Sequence, residues 1–266
     1  MSTHKVAASI YDFPVYYDLI FGTDWAAEYH FLLAAFAKHT NVKRRSGTPW
    51  RLLEPACGTG RLVYRFNKQG HHCDGFDLNE KAIDFCNQRL VKHGLRPSTW
   101  VADMTDFAVK KPYDAAFNTI NSFRHLQSEK AALDHFRCLG AAIRPGGIYA
   151  LGFHLTPLVG SPTDEESWSA RRGHLAINTQ MWPKEKDPRK RIEQFYLRFN
   201  VHRPTGSLQI DDVLVLRSYT LRQFQALIQK TGVWSIEEAY DFRYSIDDPV
   251  ELDASTEDVV FILKRQ

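Results

Sequence analysis

Glu54-Pro55-Ala56-Cys57-Gly58-Thr59-Gly60-Arg61 follows an apolar run, residues 50–53, and precedes a helical pattern. Strand, glycine turn and helix in that order form the geometry in which backbone N–H groups and a helix N-terminus face a bound ligand. Glycine combines positive φ with room for a ligand against the main chain. Downstream, Asp77 ends a second apolar segment, Cys73-Asp74-Gly75-Phe76, where a nucleotide-binding fold sets its ribose-binding acid. Together the two features predict a site for an adenosine-containing cofactor.

The same rhythm extends on both sides. Strand patterns at 51–57, 72–78, 98–104, 113–118 and 148–155 alternate with helical patterns at 61–68, after Asn79 and after Ser128. Arg144-Pro145-Gly146-Gly147 reads as the turn before the fifth strand. A helix from Thr220 to Gly232 and strands at 234–240 and 258–264 complete the series. This predicts an α/β fold with a doubly wound, mostly parallel seven-stranded sheet. Upstream, residues 1–10 read as a mobile arm. Helices are expected at 15–21 and 24–39, the second with Asp24 as its N-cap. Between 156 and 218 the rhythm breaks into alternating apolar and polar segments, with a hairpin turn at Arg203-Pro204-Thr205-Gly206, so antiparallel strands are expected beside the main sheet. The expected organisation is an N-terminal helical cap at 1–49, a cofactor-binding core at 50–155, an antiparallel β insertion on the substrate side at 156–218, and a completion of the core sheet at 219–266.

Composition narrows the class. Hydrophobic content of 44% with 24% charged residues is that of a soluble globular chain, and no apolar run reaches the length of a membrane span. The N-terminus lacks the apolar centre of a secretory signal. Cys57, Cys73, Cys86 and Cys138 have no C-x-x-C pairing or disulfide-like spacing, which points to a reduced, cytoplasmic compartment. His71-His72 has no third ligand at metal spacing, so no metal is expected. A net charge of +3 does not by itself argue for nucleic acid. Charge is segregated, however: residues 171–203 hold nine Lys/Arg against three acids, and 232–258 hold nine acids against one base. Two solvated faces that partly neutralise each other account for this, as does a basic insertion facing an acidic substrate or RNA.

The residues around the turn discriminate between adenosine cofactors. A nicotinamide dinucleotide wants a third small residue for helix–strand packing, and Val63 stands there. Glu54 would oppose a pyrophosphate but suit an ammonium group. No Gly-Lys-Ser/Thr follows, which excludes a phosphate-cradling P-loop. S-adenosylmethionine (SAM), with an α-amino group and a sulfonium, fits best. The run from Glu54 to Arg61 resembles the first motif of class I SAM-dependent methyltransferases. The later segments follow that family's order: Gly75-Phe76-Asp77-Leu78-Asn79, Val101-Ala102-Asp103-Met104, Tyr113-Asp114-Ala115-Ala116-Phe117-Asn118, and Arg144-Pro145-Gly146-Gly147. Tyr17-Asp18-Leu19-Ile20 with Asp24-Trp25-Ala26-Ala27-Glu28, and Asn121-Ser122-Phe123-Arg124-His125-Leu126, are similar to the small-molecule N-methyltransferase branch that includes amino-sugar dimethyltransferases. Arg124, where that branch usually has a small residue, and the long basic insertion depart from it and put the acceptor in question.

The resemblance implies a SAM site built from backbone around Ala56, Gly58 and Gly60, with Glu54 either ordering the turn or meeting the amino group. It places Asp77 and the adjacent Leu78 at the ribose, Asp103 and Met104 at the adenine, and Asn118 at the methionine amino group through its backbone. Tyr17 contacts the cofactor carboxylate, faces the acceptor, or simply packs. Trp25 has the same two readings, cofactor contact or packing. His125 is the candidate base or acceptor-orienting group, since an unshifted imidazole titrates near pH 6.5; surface or packing roles compete. The expected function is methyl transfer to N or O of a small molecule by a monomer or homodimer that engages no membrane. The alternatives are methylation of RNA or another macromolecule through the basic insertion, and a non-catalytic SAM-binding protein. The first of these is weakened because Asn118-Thr119-Ile120-Asn121 stands where a base-methylating enzyme carries N/D-P-P-Y.

Overall fold

The computed structural model of the chain describes residues 3–45, 47–160 and 165–266. In chain order the elements are β1 (Thr3–Ala7), α1 (Pro14–Phe21), α2 (Ala26–His39), β2 (Arg51–Pro55), α3 (Arg61–Lys68), β3 (His72–Asp77), α4 (Glu80–Lys92), β4 (Thr99–Val101), β5 (Tyr113–Asn118), α5 (Glu129–Ala142) and β6 (Ile143–His154). There follow β7 (Glu166–Arg172), β8 (Leu175–Asp187), β9 (Ile192–Arg203), β10 (Gly206–Arg217), α6 (Leu221–Thr231), β11 (Trp234–Tyr240) and β12 (Asp258–Arg265). The main sheet has seven strands in the order β11-β12-β6-β5-β2-β3-β4. β2, β3, β4, β5 and β6 run parallel, and β12 and β11 close one edge antiparallel.

Local chemistry sets the helix ends. Asn79 and Ser128 cap α4 and α5 by accepting from Ala82 N–H and Ala131 N–H. Thr220 and Gln223 form a capping box at α6, and Gly232 ends it in the left-handed region. Each face of the main sheet is buried. On one side Phe136, Leu139, Tyr149, Phe224 and Phe261 pack beneath α5 and α6. On the other, Leu32, Phe36, Leu62, Phe66 and Ile83 pack beneath α2, α3 and α4. β5 is buried at all six positions, as a central parallel strand covered on both faces must be.

Residues 156–218, expected as antiparallel strands beside the main sheet, make a sheet of their own in the order β1-β10-β9-β8-β7. The hairpin at residues 203–206 is where it was expected. A third apolar cluster, including Leu19, Ile20, Ile177, Phe199, Val201 and Ile210, joins the inner face of this sheet to α1.

Three local expectations are corrected. The first ten residues are not a mobile arm over their described part: Thr3–Ala7 pairs in parallel with β10, Val6 opposite Ile210, and completes the edge of the second sheet. (Residues 1 and 2 lie outside the described residues.) Asp24 does not cap α2, because the helix starts one residue later, with Trp25 at the cap position and no side-chain bond. Arg144-Pro145-Gly146-Gly147 is not a turn outside the strand but lies within β6, where the pairing with β5 slips between Tyr113 and Ala115 and Gly146 takes φ +79°. An irregular ladder absorbs the proline that a regular central strand would reject.

Gly60 is the tightest constraint on the helix that follows the glycine turn. It has φ +67°, and a side chain there would overlap Cys86 Sγ on α4. Gly60→Ala should therefore destabilise the protein by about 3 kcal/mol, combining left-handed backbone strain and overpacking. In a Cys86→Ala background the same change should cost only the backbone part, about 1–2 kcal/mol. Urea unfolding of the four proteins tests this; equal cost in both backgrounds would refute the packing role given to Cys86.

Candidate active site

A cavity of about 980 Å³ lies between the C-terminal ends of the parallel strands and the inner face of the second sheet. Open α/β sheets bind ligands at this edge, outside the carboxyl ends of their strands. The segment Ser9–Phe21 forms a third wall through Tyr11, Pro14, Tyr17 and Phe21.

The glycine turn lies against this cavity with a repeated left-handed backbone: Ala56 at φ 51°, Gly58 at φ 52° and Gly60 at φ 67°. A non-glycine residue in that region is strained, and such strain concentrates at functional sites. One carboxylate holds the turn. Asp77 Oδ2 accepts from Gly58 N–H at 2.8 Å, and Oδ1 accepts from Asn79 N–H at 2.8 Å. Burial pushes this carboxyl above its ordinary range, while the backbone N–H groups of Asn79, Gly58 and Leu78 pull it back. Tyr17 packs on Gly58 closely enough that a side chain there would stand 3.2 Å from its ring.

Beneath the turn, Glu54 and Asn118 end neighbouring strands. Asn118 Nδ2 donates to Pro55 O at 2.7 Å, while Asn118 Oδ1 and Glu54 Oε2 are buried with no protein partner. Burial raises the Glu54 carboxyl well above its ordinary value, and the nearby Arg61 opposes the shift. Two unsatisfied acceptors below a turn are what an ammonium-bearing ligand would meet, so the residues present fit the methionine end of SAM.

Across the cavity, His125 sits at the end of a short 3₁₀ turn, Ser122–His125. Tyr11 OH and His125 Nε2 are 3.2 Å apart, and the Tyr11 ring lies 5.4 Å from that of Tyr17. Burial, then the charge of Arg124, lowers the His125 pKa, so the ring is neutral at pH 7. Burial, then the charges of Asp212 and Asp77, raises the Tyr11 phenol, which keeps its proton. Asn121 precedes the turn at φ 53° and accepts from His154 N–H at 2.9 Å, tying this loop to the end of β6.

Of the residues singled out in the sequence, Tyr17, Ala56, Gly58, Asp77, Leu78, Met104 and His125 line the one cavity. Glu54, Gly60, Asp103 and Asn118 stand behind or beside it. Asp103 turns its Oδ1 to Thr105 N–H and Oγ1–H, at 2.7 and 2.8 Å. Trp25 is corrected: it is not among the cavity residues, and its ring lies 4.0 Å from the Arg65 guanidinium and 5.9 Å from Tyr29, a packing role. Arg124, the departure from the branch pattern, is buried and anchors the second sheet: its Nε donates to Arg217 O at 2.9 Å and it pairs with Glu193. Tyr11, Asn121 and Asp212 were missed. Tyr11 lay in a stretch with no periodic signal, and Asp212 reaches the site only through β10 pairing.

A sequence profile of the methyltransferase domain family matches residues 52–147. The chain is 27% identical over 135 residues to dTDP-3-amino-3,4,6-trideoxy-alpha-D-glucopyranose N,N-dimethyltransferase of Streptomyces venezuelae, covering 50% of this chain and 53% of that protein. It spans about half the length of the curated relatives it matches. Among solved structures, an S-adenosylmethionine-dependent methyltransferase from Clostridium acetobutylicum ATCC 824 superposes with TM-score 0.75 at 16% identity, covering 96% of this chain and 98% of that one. SAM-bound CalS10, an amino pentose methyltransferase from Micromonospora echinaspora, superposes with TM-score 0.71 at 16% identity over all of both chains. Residues 52–147 match the methyltransferase domain family, and the chain shares the fold of S-adenosylmethionine-dependent methyltransferases.

Proposed function

We propose that the chain transfers a methyl group from SAM to a nitrogen or oxygen of a small molecule, nitrogen being favoured by the names of its relatives. The observation that carries this reading is the single cavity with Asp77 and the glycine turn on one wall and the Tyr11–His125 pair on the other. In this reading 1–49 cap the site, 50–155 bind the cofactor, 156–218 form the acceptor side and 219–266 complete the sheet. Among the described residues no helix is long and apolar enough to cross a membrane. Free thiols at all four cysteines support a cytoplasmic setting. A cavity of this size counts against a purely non-catalytic SAM-binding role, and the basic insertion does not by itself create an RNA site.

SAM supplies a methyl group already activated on a sulfonium, so the protein's work is positioning and exclusion of water. Asp77 and the adjacent Leu78 hold the ribose, while Met104 and Asp103 flank the adenine. Backbone at Ala56 and Gly58, with Asn118 and Glu54 beneath, receives the methionine end. Gly60 supports this turn by its fit against Cys86. Tyr17 packs on Gly58 and limits the volume beside it. His125, neutral and held by Tyr11, orients the acceptor and takes the proton released when its nucleophile is an ammonium or hydroxyl.

Calorimetry should detect SAM binding, and Asp77→Ala should weaken it by about 1–3 kcal/mol through lost hydrogen bonds. Absence of SAM binding to the unaltered protein would overturn the proposal. His125→Ala should leave SAM affinity nearly unchanged and lower turnover; equal loss of cofactor in both variants would remove His125 from its role.

Because the His125 pKa is lowered in the folded protein, the neutral form persists below pH 6.5. With acceptor saturating, turnover should stay flat as pH falls through 6.5 and decline only below it. An acid limb centred at or above pH 7 would contradict a buried neutral His125.

A further inference from the structure

The cavity wall is acidic beyond Asp77. It carries Glu166 on β7, Glu193 on β9, Asp212 on β10, Glu257 before β12 and Asp258 at its start. Arg124 and Lys186 are the two Lys/Arg side chains among the described residues that line the cavity. Arg124 is committed to Glu193 and to Arg217 O. Lys186 stands directly opposite Glu193 in the β8–β9 register. Arg124 is thus held at Glu193, and Glu257 also acts on it electrostatically.

The remaining acids are held differently. Asp212 accepts from Ile10 N–H at 3.0 Å and Val213 N–H at 2.8 Å. Asp258 Oδ1 stands 2.5 Å from His154 Nδ1. This pair sets a carboxylate-oriented imidazole at the end of β6. Glu166 and Glu257 have no ion-pair partner among the described residues. Five carboxylates drawn from β7, β9, β10, the approach to β12 and its start thus line the cavity, with two Lys/Arg side chains among the described residues.

We propose that the acceptor is a cationic amine that carries no phosphate, recognised by this wall, with Glu166 and Glu257 as specificity-determining residues. The inference rests on the methyltransferase reading above and deepens it. A nucleoside diphosphate group brings negative charge to a surface whose cations are already engaged, and like-charge juxtaposition is a device of rejection. An ammonium-bearing acceptor meets Glu166 and Glu257, which have no ion pair among the described residues. This separates the chain from the relative named for a dTDP-linked amino sugar.

The test is calorimetry on protein saturated with S-adenosylhomocysteine, using spermidine, methyl 2-amino-2-deoxyglucoside and thymidine diphosphate as probes. Failure of S-adenosylhomocysteine to bind counts against the methyltransferase reading itself and is scored first. Given that binding, at least one amine probe should bind, and Glu166→Gln/Glu257→Gln should weaken it by about tenfold or more. S-adenosylhomocysteine affinity should be unchanged in that variant, and thymidine diphosphate should show no binding at about 1 mM. Neither side chain makes a hydrogen bond among the described residues, so the substitutions leave the packing intact. Thymidine diphosphate binding more tightly than both amines, or amines that bind the unaltered and double-variant proteins alike or not at all, would overturn the proposal.

Discussion

One carboxylate organises the site. Asp77, at the end of β3, accepts from Gly58 N–H in the glycine turn and from Asn79 N–H at the start of α4. It thereby locks three elements whose backbones cannot satisfy one another. The turn it holds is costly, with left-handed residues at Ala56, Gly58 and Gly60. It is also crowded, since Tyr17 occupies the space above Gly58 and Cys86 the space beside Gly60. Bonds from the turn to a buried acid offset that cost and hold the backbone open toward the cavity.

A second acid ties the N-terminal segment to the core. Asp18, buried on α1, accepts from Thr59 Oγ1 at 3.2 Å in the glycine turn. It also pairs with Arg89 of α4, and with Arg172 of β7 at 3.2 Å. Breaking one arm of such a buried network leaves charge without compensation, which is why it holds firmly. Arg124 does comparable work on the opposite side, bridging the His125 loop to β9 and β10. The N-terminal segment and the second sheet are thus fastened to the seven-stranded core by ion pairs as well as by apolar packing. That attachment brings Tyr11 within reach of His125.

How far the sequence reveals this depends on whether the deciding contacts are local. The glycine turn, Asp77 and the seven-strand rhythm rest on short-range signals: apolar periodicity, caps at Asn79 and Ser128, and a stop at Gly232, while Met104 was placed by the family resemblance. β1 gives no such signal, because Thr3–Ala7 becomes a strand only by meeting the edge of β10 some two hundred residues later. Pro145 and the glycines after it look like a turn locally, but they fall inside β6 at an irregularity between its pairings of Ile143 and Ile148 with β5. Trp25, which the sequence left open between cofactor contact and packing, stands at the start of α2 with its ring over Arg65. The acidic wall was hidden most completely. Its five carboxylates come from segments that read separately as polar, and the charge segregation seen along the chain did not say which acids would face inward.

The central claim is that the glycine turn and Asp77 bind the adenosine end of SAM with the sulfur directed toward Tyr11 and His125. A crystal structure with S-adenosylhomocysteine tests this most directly. The account predicts ribose hydroxyls on the Asp77 carboxylate, the amino group above Glu54 and Asn118, and the sulfur open to the Tyr11–His125 side of the cavity. Adenosine bound away from Asp77, or a sulfur facing away from Tyr11 and His125, would contradict it.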